Sequence, residues 1–198
     1  VTNAPAGQPF SPLTLITHSD QYHAFMPGSA ASTELEQLAE GGNNQPLLAS
    51  LVGNSHVFDS QSGDGVVVPG ASQTLTLELG ESEVTAAYLT LLTMMVNTND
   101  AIVAADSMVL ADLGVDESWT IAALAYDTGT EANSESAATI PGPAGGGEGY
   151  NAARDDIADQ VTLHPGVISA DDGLASSALS QVHRWDNPAA LIRIVRTQ

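Results

Sequence analysis

Polar and apolar positions in this chain alternate over short runs rather than forming long stripes. Thr74-Leu75-Thr76-Leu77-Glu78-Leu79 alternates strictly, which puts Leu75, Leu77 and Leu79 on one face of a half-buried strand and Thr74, Thr76 and Glu78 on the other. Apolar, β-branched runs at 13–17, 66–68, 84–96, 101–110 and 119–125 are broken by Gly, Pro, Asn and Asp clusters and predict further strands. A last strand is expected at 190–195, where Leu191, Ile192, Ile194 and Val195 are apolar enough for burial on both faces. Helical signals are few. Thr33 followed by Glu36 reads as a capping box, Leu35, Leu38 and Ala39 form a short apolar face, and Gly41-Gly42 supplies the stop. Pro46 opens a second short helix carrying Leu47, Leu48, Leu51 and Val52. Both helices are expected across an end or edge of the sheet, and Asn151 is placed to cap a third through Ile157 and Val161. The pattern therefore predicts an all-β fold, an antiparallel β-sandwich with two or three short helices in its connections. Residues 1–9, with Pro, Ala and Gly, read as a flexible N-terminal arm ahead of a single domain spanning 10–198.

At 198 residues with 43% hydrophobic content the chain can bury a substantial core. Charge narrows the choice of partners. Asp and Glu number 24 against 4 basic residues, a formal net charge of -20, and the basic residues are all arginines: Arg154, Arg184, Arg193 and Arg196. Such a field repels phosphate backbones and anionic lipid, so nucleic acid and membrane surfaces are poor partners and cations are good ones. Without cysteine there is neither a disulfide framework nor a thiolate zinc site. No stretch has the length of a membrane-spanning helix. The opening Val1-Thr2-Asn3-Ala4-Pro5 lacks a methionine, as expected of a mature chain after signal removal, hence of a secreted, periplasmic or cell-surface protein.

Two acidic clusters carry the clearest chemistry. Asn97-Thr98-Asn99-Asp100 follows the apolar run Tyr88 to Val96, and Tyr126-Asp127-Thr128-Gly129-Thr130-Glu131 follows Trp119 to Ala125, so both lie where a strand gives way to a loop. Calcium takes about six to eight oxygens from carboxylates, carbonyls and water. Asp100, Asp127 and Glu131 could supply the charge, with Asn99 and the Thr128-Gly129 backbone filling in. Solvated turn residues would show the same spacing. The histidines are His18, His23, His56, His164 and His183. His183 and Trp185, two apart on an extended segment, share a face, and His164 precedes the turn at Pro165-Gly166. Two imidazoles beside an indole would suit Cu+. Against this, His18 is suited to hydrogen-bond loop backbone, His23 and His56 to lie exposed, and Trp185 to close the core beside Pro188. The run Pro141 to Gly149 lacks the Lys-Ser/Thr ending of a phosphate-binding loop. No Gly-x-Ser-x-Gly elbow is present, and no enzyme activity is expected.

Leu91-Leu92-Thr93-Met94-Met95-Val96-Asn97-Thr98-Asn99-Asp100, together with Tyr126-Asp127-Thr128-Gly129-Thr130-Glu131-Ala132-Asn133, resembles the two signature segments of the spondin N-terminal domain family. That family includes the amino-terminal domains of F-spondin and mindin. Phe10-Ser11-Pro12-Leu13, Thr17-His18-Ser19, Gly28-Ser29-Ala30-Ala31-Ser32, Leu38-Ala39-Glu40-Gly41-Gly42 and Val68-Pro69-Gly70 follow its order, so the resemblance covers nearly the whole chain. It implies a C2-like β-sandwich with calcium on loops at one end, at positions matching Asp100, Asp127 and Glu131. Animal members favour aromatics after the first Asp and an Asp in the last ligand position, where this chain has Ala101-Ile102 and Glu131. The resemblance further implies a non-catalytic module for extracellular or surface binding or adhesion; animal relatives work in the extracellular matrix, with integrins among their partners. For this chain the expected partners are a metal ion and a surface protein or polysaccharide. The alternative is a copper-binding protein using His164, His183 and Trp185.

Overall fold

Neighbouring side chains on the central strands point to opposite faces of the sheet, and here both faces are buried. A computed structural model describes Val1–Gln198. In chain order the elements are β1 Thr2–Asn3, β2 Thr14–His18, α1 Thr33–Gly41, α2 Gln45–Leu51, β3 Val57–Ser62, α3 Glu81–Val84, β4 Tyr88–Met94, β5 Ala101–Val109, β6 Ser118–Asp127, β7 Thr162–Leu163 and β8 Ala190–Val195. All pairings are antiparallel, in the order β1-β8-β6-β5-β4-β2-β3, with β7 beside the end of β6. The sheet is curled, and the fold is an all-β sandwich with few helices. β6 is the shared strand: residues 118–123 pair with β8 and 124–127 pair with β5.

Inside the curl, Leu15, Leu91, Val103, Ala123, Ala125 and Ile192 meet Phe10, Leu13 and Met95. On the opposite face Ile16, Leu92, Ile102 and Ala104 lie under Leu35, Leu38 and Ala39 of α1, Leu47 and Leu51 of α2, and Phe25. This two-sided burial is why β4 and β5 read as continuous apolar runs instead of alternating. It also corrects the expected place of the helices. They cover a face of the sheet rather than an end or edge, because an apolar second face must be shielded from water.

Several local expectations change as well. The cap of α1 is Ser32, whose hydroxyl accepts the Leu35 N–H at 3.2 Å, and Thr33 is the first helical residue. Glu36 takes no part in a capping box. Gly42 ends the helix at φ 64, a left-handed conformation that glycine adopts without strain. α2 stops at Leu51, which leaves Val52 exposed. Residues 73–79 keep their alternation, with Leu75 and Leu77 packed on the inner core and Thr74, Thr76 and Glu78 exposed, yet they join no strand ladder. Residues 66–68 contribute one bridge, Val67 to Phe10. The run expected from 84 becomes a strand only at Tyr88, since Glu81–Val84 turns as a helix. β8 is buried on one face only: Ile192 is inside while Leu191 and Val195 face solvent.

The ends of the expected map differ most. Residues 1–9 are not a free arm. β1 pairs with β8, and Asn3 and Gln8 are fully buried. Asn3 Nδ2 donates to the carbonyls of Gln8 and Val67, both at 2.8 Å, and Gln8 Nε2 donates to the His183 carbonyl at 2.9 Å. The amide donors of both residues are thus satisfied inside the fold, as buried polar groups require. No helix forms from Asn151 to Val161. That segment is an irregular strap over α1, fixed by Arg154, which donates to Glu36 Oε2 through Nε and Nη2 at 3.0 and 2.8 Å and to the Ala31 carbonyl at 2.7 Å. Leu92→Ala should cost about 2–5 kcal/mol, because the fully buried side chain sits between sheet and helices where collapse is restricted. Urea unfolding measures this, and a loss below about 1 kcal/mol would contradict the packing described.

Candidate metal centre

Antiparallel register brings the two acidic clusters together. Asp100 stands just before β5 and Asp127 closes β6, with Ala101 directly opposite Asp127. The turn from β4 is held by Thr98, whose hydroxyl donates to the Met95 carbonyl at 2.6 Å and accepts the Ala101 N–H at 3.1 Å. Asn97, Thr98, Asn99 and Asp100 are all buried. Asn99 is committed to the 134–139 loop: its amide donates to Thr139 Oγ1 at 2.8 Å and its oxygen accepts the Glu135 N–H at 3.3 Å.

Asp100, at 0% exposure, organises the second cluster through one oxygen. Its Oδ2 accepts from Thr128 Oγ1 at 3.0 Å, from the Thr130 N–H at 2.9 Å and from the Glu131 N–H at 3.3 Å. Its Oδ1 is buried without a partner. Burial, reinforced by the Asp127 charge, pushes the Asp100 carboxyl up to about 7. Asp127 Oδ1 accepts the Gly129 N–H at 2.8 Å, and Asn133 Nδ2 donates to Oδ2. Gly129 sits at φ +68, and a Cβ there would lie 2.5 Å from backbone atoms of Gln160, so only glycine fits between this turn and the strap. Glu131 Oε2 is also buried and unpartnered, and burial, with the charges of Glu40, Asp100 and Asp155, raises its carboxyl to about 8.

Two buried acids of α1 were not anticipated from sequence. Glu36 pairs with Arg154 at 2.8 Å, and Glu40 Oε2 accepts the Asn151 N–H at 2.8 Å. Their i, i+4 spacing beside the Leu35–Ala39 face was the available signal. No three His, Asp or Glu side chains converge closely enough to hold an ion between them. The donor chemistry nevertheless fits a hard cation: Asp100, Glu131 and Glu40 each present an unpartnered buried oxygen.

The predicted copper residues are only partly assembled. His164 and Trp185 are in contact, ring centroids 5.1 Å apart and tilted by 54°. His164 Nδ1 accepts the Gly166 N–H at 2.9 Å, its Nε2 is buried without a partner, and burial lowers the ring to about 4 against the opposing pull of Asp127. His183 turns Nδ1 onto the Ser180 N–H at 3.0 Å. His18 donates from Nδ1 to the Ser19 carbonyl at 2.8 Å, while His23 and His56 are exposed.

Residues 3–142 match the Spondin_N family model. The chain belongs to the Spondin_N family. No match was found among curated proteins. The Spondin_N segment contains Asp100, Asp127, Glu131 and Glu40, whereas the strap, His164, His183 and Trp185 lie beyond it. Spondin_N membership is compatible with an extracellular module, and no helix is long and apolar enough to cross a membrane.

The raised carboxyls carry a pH dependence. A group whose folded value is raised stabilises fully below its unfolded value and loses that contribution as pH climbs through the folded one. Asp100 and Glu131 therefore destabilise the metal-free fold progressively up to about 7 and about 8. His164, lowered from 6.5 to about 4, loses its contribution as pH falls across that interval and is silent above it. From pH 6.5 to 8 the stability of chelated protein should fall, by roughly 1 kcal/mol from Asp100 alone. Thermal melts in chelator measure it, and a flat profile would mean that these carboxyls are solvated.

Proposed function

We propose that the chain is an exported, non-catalytic calcium-binding β-sandwich module for extracellular or surface binding or adhesion, with a surface protein or polysaccharide as its partner. The observation that carries this reading is the pair of orphaned oxygens, Asp100 Oδ1 and Glu131 Oε2, buried without partners in the loops that follow β4 and β6. Calcium would supply there the positive charge that no basic side chain provides, since Arg154 is engaged by Glu36 and Asp159. Asp100, Asp127 and Glu131 would hold it.

A ligand that binds only the folded state stabilises it by mass action. Chelation should lower the melting temperature, and calcium at about 10⁻⁴ to 10⁻³ M should restore it. Asp127→Ala should remove most of that shift. If the variant responds to calcium as the parent does, the assigned ligand is wrong.

A second reading, copper, is favoured by His164 Nε2, buried without a partner against Trp185. Anaerobic titration with Cu(I) should then show one tight equivalent that disappears on double substitution of His164 and His183, with the calcium response intact. Weak binding indifferent to that substitution would remove copper.

A further inference from the structure

Glu40 is the acid that the ligands named so far leave unexplained. It lies in the last turn of α1, 1% exposed, with Oε2 on the Asn151 N–H and Oε1 buried without any donor. Arg154 does not neutralise it, because that guanidinium is spent on Glu36, Asp159 and the Ala31 carbonyl. The Glu40 carboxylate lies beside the Thr130 hydroxyl, and Thr130 is one of the residues that hydrogen-bond Asp100 Oδ2. Glu131 in turn feels the Glu40 charge. Three carboxylates, each with an unpartnered buried oxygen, are thus carried by α1, the start of β5 and the loop after β6, without converging closely enough to hold an ion as they stand. A buried charge is tolerated when it is paired or coordinates a metal, and Glu40 has no pair.

We propose that Glu40 is a further ligand of the cation, supplied by the helix layer and completing a carboxylate set with Asp100 and Glu131. The inference rests on the calcium reading above. Closing on an ion would take χ rotation of both Glu side chains. Such a set suits calcium, which accepts flexible geometry, better than magnesium, which demands a near-ideal octahedron. Through Glu40 the ion would tie α1, and through Asn151 the strap, to the ends of β5 and β6.

Isothermal titration of the full chain with calcium tests this, together with melting curves in calcium and in chelator. Glu40→Gln retains an oxygen for the Asn151 N–H and removes the charge. It should weaken calcium binding at least tenfold while melting no lower than the parent in chelator. A residue that merely supported the fold would lower both melting temperatures. Glu34→Gln, which removes the same charge from the same helix, should bind as the parent does. If Glu40→Gln does not fold, Glu40→Asp, one methylene shorter, should fold and show the same loss. Parent-like affinity in the folded Glu40 variant, with the parent responding to calcium, overturns the role of Glu40 and leaves the calcium reading standing. A parent that binds no calcium overturns both.

Discussion

A carboxylate buried at the entrance to a strand, with hydrogen bonds to only one of its oxygens, is the constraint on which the rest of this protein turns. Asp100 Oδ2 gathers Thr128, Thr130 and the Glu131 N–H, and so dictates the path of the chain after β6. That path needs a glycine at 129, where the strap approaches too closely for a side chain. The unpartnered Oδ1 gives the same residue its chemistry. One side chain thereby sets both the local fold and the demand for positive charge, which the nearby basic residue cannot meet.

The sheet that carries Asp100 is stabilised from both sides, and the two sides differ in kind. The inner face is closed by the sheet's own curl and by segments such as Phe10 and Val67. The other depends on α1 and α2, whose cover is sealed by the strap through the buried Glu36–Arg154 pair. Breaking such a pair leaves an uncompensated charge, so its value lies in fixing the strap more than in net stability. The strap lies outside the Spondin_N match, while the helix it covers lies inside.

Where pairing and burial share a periodicity, the residues foretold the structure. β2, β5, β6 and β8 fall close to their apolar runs, and the placement of Asp100 and Asp127 at strand ends follows from where those runs stop. The 73–79 segment separates the two signals, because Leu75 and Leu77 alternate inward without any neighbouring strand to bond. Polar residues hid the rest. Asn3 and Gln8 look like arm residues until their amide donors are seen satisfied inside the fold, and Glu36 and Glu40 look like a solvated helix face until Arg154 and Asn151 arrive from more than a hundred positions away. Such long-range polar partners leave no periodic trace.

Because β6 bonds to β8 along one half and to β5 along the other, its register is fixed twice over. A single inserted residue between Ser118 and Asp127 would displace Asp127 from Ala101 or pull Ile121 away from Ile192, and would turn every side chain beyond it to the opposite face. A change of length is therefore absorbed more readily in the connections around β6 than within it. The strand acts as a fixed gauge, and the distance from the β8 edge to the acidic end stays constant however much the loops on either side grow or shrink.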